Sequence, residues 1–158
     1  MSPTANSSSL LDTEISGSVR QVINQHLTVK WMYQRHIVVY SVTGPLAMRD
    51  VAYTWQQAVK QTLGEWPADR PYLAIHDGTH ADFTMSPYLQ STIREMFNLR
   101  PDLLRHIAVV TPNTLATQLL GALLRTSKRP NLRCQIFSRR EDAVRWLLPT
   151  ASAAMTRH

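Results

Sequence analysis

The sequence is poor in the residues that most often announce chemistry. Cysteine occurs once in 158 residues, at Cys134. No intramolecular disulfide can form, and nothing implies an oxidising compartment. Glycine is scarce, at five, which works against a phosphate-cradling loop. No Gly-x-Gly-x-x-Gly, Walker, Gly-x-Ser-x-Gly or paired-cysteine metal motif appears. No apolar run approaches the ~18 to 20 residues that cross a bilayer. The N-terminus also lacks a positive start followed by an apolar stretch. A cytoplasmic location is the expectation by elimination.

Negative charge is missing from one region in particular. Residues 103–158 carry nine basic side chains and two acidic ones, whereas residues 1–102 carry eight and nine. All the excess charge therefore lies in the C-terminal third, with Arg125, Lys128, Arg129, Arg133, Arg139 and Arg140 forming an expected basic face. Such a face suits an acidic partner or simply aids solubility. It lacks the interleaved aromatics of a base-stacking platform, so no specific nucleic acid is expected.

What is present reads as one α/β domain. Residues 1–20 begin with small polar residues that cannot bury enough surface to offset their ordering, and are expected as a disordered tail. Leu27, Val29, Trp31 and Tyr33 alternate with Thr28, Lys30 and Met32, which argues a half-buried strand. Ile37 to Val42 is a continuous apolar run, expected as a strand buried on both faces. Met48 to Leu63 changes to a spacing of three and four and predicts a helix.

Further along, Tyr72–Ile75 is a short strand, followed by a polar loop from His76 to Thr84. A helix opens at Ser86–Pro87. Ile107–Val110 is a third buried strand, and Thr111–Pro112 starts a helix burying Leu115, Leu119, Ala122 and Leu123. Arg133–Phe137 is the last strand. Ser138 and Glu141 have capping-box spacing for a final helix that stops at Pro149.

The predicted order is β-β-α-β-α-β-α-β-α, a mostly parallel five-stranded sheet with four helices over residues 25–149, and a tail over 150–158. Pro45, Pro87 and Pro112 each fall at the first or second position of an expected helix. Strand exits of a parallel sheet share one edge, where ligands of open α/β folds bind. Gly44, His76, Asp77, His80, Asp82, Thr111, Asn113 and Ser138 are the candidate residues of that edge.

This order, with Asp77 ending a strand and Ser86 opening a helix, resembles the STAS family, the sulfate-transporter and anti-sigma-factor-antagonist domain. The resemblance covers residues 25–149. It implies a STAS-like fold and a regulatory module acting through protein partners. In anti-sigma antagonists the corresponding serine lies in Asp-Ser-x-Gly and is phosphorylated, which makes Ser86 the phosphoacceptor candidate. Here Met85 replaces the aspartate and Tyr88 the glycine, so the chain resembles a degenerate branch.

The residues by themselves leave several functions open. The first is a non-catalytic regulatory or scaffold module that binds protein. The second is a domain that binds an anionic small molecule or lipid head group at the strand-exit edge. The third is a metal-dependent enzyme using His76, Asp77, His80 and Asp82. Spacing within a loop fixes no ligand geometry, so no metal, cofactor or catalytic residue is assigned. Ser86 also reads as a plain helix cap, Cys134 as a core thiol, and Trp66 as an exposed contact residue. Homo-oligomerisation through an exposed first strand stays open.

Overall fold

The computed structural model describes residues 20–82, 84–126 and 129–156. Six strands form one sheet in sequence order: β1 (Arg20–Asn24), β2 (Leu27–Met32), β3 (Ile37–Pro45), β4 (Tyr72–Asp82), β5 (Arg105–Val110) and β6 (Leu132–Phe137). The first two pairings are antiparallel and the remaining three parallel. Four helices follow the parallel strands: α1 (Arg49–Glu65), α2 (Pro87–Phe97), α3 (Thr114–Thr126) and α4 (Arg140–Thr156).

Sequential order and crossover handedness together place the helices. Right-handed crossovers that always step to the next strand in one direction put every connecting helix on the same face. Accordingly α1, α2 and α3 pack on one face, where Trp55, Ile93 and Leu120 meet Tyr40, Ala74 and Val109. α4 follows the last strand and connects nothing. It packs alone on the other face, where Ala143, Leu147 and Ala151 meet Val39, Ile75 and Ala108. β5 is consequently buried at all six residues.

Several expectations are corrected. The sheet has six strands, not five, because residues 20–24 pair with β2. This edge strand keeps its described side chains exposed, so it has no apolar alternation to read. The rest of the expected N-terminal tail, and Lys128, lie outside the described residues.

β4 runs on through His76–Asp82, the stretch expected as a loop. Beyond Asp77 it has lost β5 and pairs with β3 alone, through Thr43–His80, Gly44–Ala81 and Pro45–Asp82. A two-stranded ribbon is wetted on both faces, so polar side chains are compatible with strand backbone there. One extra residue on β4 between the pairs Ser41–Asp77 and Thr43–His80 makes a bulge.

The last helix does not stop at Pro149 but continues to Thr156. Proline removes one helical hydrogen bond. Packing of Ala151 and Ala154, both buried, holds the turns beyond it, so residues 150–156 are helix and not tail. α3 is also rotated from the expected face. Ala116, Leu120 and Leu123 are buried, while Leu115 and Leu119 are 62% and 40% exposed. Of the three prolines, only Pro87 occupies a first-turn position. Pro45 ends β3, and Pro112 lies two residues before the first residue of α3.

Trp66 is not an exposed contact. It is buried, its indole N–H donates to Pro71 O at 3.1 Å, and its ring stands edge-on to Tyr72. The turn before β3 forms without glycine or asparagine. Tyr33, Gln34 and Arg35 all adopt positive φ, and His36 Nδ1 donates to the Tyr33 and Gln34 carbonyls.

Candidate functional site

The parallel strands end at one edge, and an open groove of about 460 Å³ lies there between the exits of β3 and β4 and the start of α4. β3 contributes Ser41 and Thr43, β4 contributes Asp77, Thr79 and His80, and the β6–α4 junction contributes Ser138 to Glu141. The strand alternation decides which side chains reach it. Asp77 and Ser41 are register partners and face the α4 side, while His76 and Tyr40 face the other.

Asp77 organises the groove. One carboxylate oxygen accepts from Arg140 Nε at 2.9 Å. The other accepts from the Thr79 N–H at 3.0 Å and from the Thr79 hydroxyl. Arg140 Nη2 donates to Ser41 Oγ at 2.9 Å. The Asp77 side chain is 14% exposed and that of Arg140 39%, so the pair is partly screened and contributes modestly. It ties the first residue of α4 to two strands. Both Asp77 oxygens are engaged, so the carboxylate is not poised as a base.

The groove's charges balance, Arg140 against Asp77 and Arg139 against Glu141, but one guanidinium stays accessible. Arg139 is 71% exposed and only loosely paired, with Glu141 at 3.6 Å. α4 begins one residue later, and N–H groups of a helical first turn carry partial positive charge. Ser138 does not cap that helix. α4 starts at Arg140, which puts Arg139 in the cap position, and the Ala143 N–H donates to Arg139 O at 3.4 Å.

His76 belongs to the core. It is buried, stacks on Tyr40 at 4.9 Å, and accepts at Nδ1 from Trp55 Nε1 at 3.0 Å, so its own proton sits on Nε2. Burial lowers its pKa to about 3. Asp82 accepts from the Thr84 hydroxyl at 3.0 Å, outside the groove. The four residues of the suspected metal loop thus do not converge, and among the described residues no three His, Cys, Asp or Glu side chains come together around a metal position.

The other candidates serve the chain's own backbone. Thr111 is buried, and its hydroxyl accepts from the Asn113 N–H at 3.2 Å. Asn113 Oδ1 caps α3, accepting from Leu115 N–H at 3.0 Å and Ala116 N–H at 3.2 Å. Gly44 lies at the end of β3 with φ +88°, where a Cβ would sit 2.8 Å from His26 Nδ1. Ser86 caps α2, accepting from Leu89 N–H at 3.1 Å.

The basic residues divide between places. Arg139 and Arg140 reach the groove, Arg129 and Arg133 flank β6, and Arg125 lies exposed at the end of α3. Arg105 is buried, donating through Nη1 to Phe97 O and to Leu99 O. Cys134 is a packed thiol whose pKa burial pushes up to about 12.

The groove therefore joins Asp77, His80 and Ser138 of the expected edge with Arg139 and Arg140 of the expected basic face. It adds Ser41, Thr43, Thr79 and Glu141, which sequence reasoning missed. A serine in an apolar strand run carries no mark of its own. A bulge pairing such as the one beside Thr79 has no local signature either. No family model, curated protein or solved structure matches this chain.

Proposed function

We propose that this chain is a non-catalytic binding module whose strand-exit groove receives an anionic group, a phosphate or carboxylate of a small molecule or head group. The observation that carries this reading is the groove's wall. Asp77 is neutralised by Arg140 and accepts from the Thr79 hydroxyl, which leaves the exposed Arg139 guanidinium, only loosely paired with Glu141, the Ser41 hydroxyl and the first-turn N–H groups of α4 around one opening. Donors fixed by strand and helix backbone need little ordering on binding. The location agrees with the general place of ligands in open α/β sheets.

A thermal-shift series tests it, with inorganic phosphate against chloride at matched ionic strength. Stabilisation should saturate with phosphate and vanish in Arg139→Ala, whose side chain touches little of the fold. Equal shifts for both salts, or an unchanged shift in the variant, would refute it.

A second reading keeps the STAS resemblance, with partner binding switched at Ser86. It draws support from α2. Its first turn holds no acidic residue, and Arg49 lies over the ring of Tyr88, 5.0 Å from the centroid. A phosphate on Ser86 would meet a helix N-terminus with a cation nearby. Phosphorylation by a kinase in lysate, read by mass spectrometry and lost in Ser86→Ala, supports this reading; an unmodified Ser86 counts against it.

A further inference from the structure

We propose that the outer edge of β6 is a second binding surface, one that takes an extended acidic peptide as an added strand of the sheet. β6 is the last strand in the order, and among the described residues no strand pairs with its outer side. Backbone polarity alternates along a strand. Asn131 and Phe137 turn their carbonyls to β5, accepting from Arg105 N–H and Thr111 N–H. The residues of opposite parity, Leu132, Cys134 and Ile136, therefore turn outward. The Leu132 N–H is held by Arg129 O at 3.3 Å. That leaves the Leu132 carbonyl and both backbone groups of Cys134 and Ile136 to form a ladder.

A groove follows this edge. It has about 530 Å³ and touches the consecutive residues Leu132, Arg133, Cys134 and Gln135. Neighbouring residues of a strand point to opposite faces, so a groove touching all four runs along the edge and not over a face. Leu124 of α3 and Trp146 of α4 form its two banks.

Charge selects the occupant. Arg129 and Arg133 line the groove, and Arg125 lies exposed at the end of the adjoining α3. A second copy joined β6 to β6 would bring Arg129 and Arg133 of both copies together, which like-charge repulsion opposes. An acidic strand would be attracted instead. Its alternate side chains would meet different chemistry, Arg133 and Gln135 on one face and Leu132, Cys134 and Leu124 on the other. The preferred peptide thus alternates acidic and apolar residues, with backbone hydrogen bonds supplying affinity and the alternation supplying specificity.

The test uses the full chain and fluorescence anisotropy. The probe is a labelled peptide of about ten residues alternating Glu and Val, a length that spans the edge. Comparison probes are its Lys–Val counterpart, a Glu–Val version N-methylated at alternate residues, and an oligouridylate of similar length. Saturable binding of the Glu–Val peptide is expected. It should be lost on N-methylation of the face that meets β6 and weakened at least tenfold by Arg133→Glu, an exposed position. No binding up to about 1 mM overturns the proposal. So does equal binding of the Lys–Val or N-methylated peptide, or tighter binding of the oligouridylate. Loss of Glu–Val binding in Arg133→Glu with unchanged phosphate stabilisation would separate this surface from the strand-exit groove.

Discussion

Acidification should destabilise this protein through His76 before most carboxylates protonate. The imidazole is buried between Tyr40 and Trp55, and its pKa falls from 6.5 to about 3 on folding. Above pH 6.5 the folded and unfolded chains both hold it neutral. Below that, the unfolded chain takes up a proton that the folded chain refuses until about pH 3. Stability then falls by ~1.4 kcal/mol per pH unit across the window. Between pH 7.5 and 4.5 the loss owed to His76 is about 2 to 3 kcal/mol, a large share of a typical folding free energy. Urea unfolding of wild type and His76→Gln at several pH values isolates the effect. Glutamine keeps an acceptor for Trp55 Nε1 and cannot titrate. His106, whose pKa burial and then Arg133 also lower, contributes equally to both proteins and cancels. The wild-type curve should drop towards that of the variant as pH falls. Parallel curves from pH 7.5 to 4.5 would refute the placement of His76 as a neutral core group.

Two further substitutions probe the strand exits. Gly44→Ala places a side chain at φ +88° against the His26 ring, and should cost ~1 to 2 kcal/mol, read as a lower urea midpoint at unchanged m-value. Asn113→Ala removes both cap bonds of α3 and should cost ~1 kcal/mol. Amide exchange should quicken in the first turn of α3, and Asn113→Asp, which keeps the acceptor, should restore it.

The order of elements was legible because the apolar period changes sharply, from two in β2 to three and four in α1, and because proline and glycine punctuate the joins. What escaped were features decided by distant partners. β1 is a strand only because β2 is beside it. His76–Asp82 is polar enough for a loop, yet β3 extends far enough to pair with it. Pro149 would end an isolated helix, but burial of Ala151 outweighs the lost hydrogen bond. In α3 both leucine faces have helical spacing, and only packing against β5 and β6 chooses Leu120 over Leu119. The groove shows the same limit. Asp77 and Arg140 could each be singled out in the sequence, but their pairing across 63 residues is a product of the fold.

Entry of an anion into the strand-exit groove can be followed residue by residue with backbone amide NMR during a phosphate titration. Saturating shifts confined to Ser41, Thr79, His80 and residues Ser138 to Glu141 are expected, all abolished by Arg139→Ala. Shifts scattered over the basic surface, or centred on β6 and α3 and unaffected by that substitution, would contradict it.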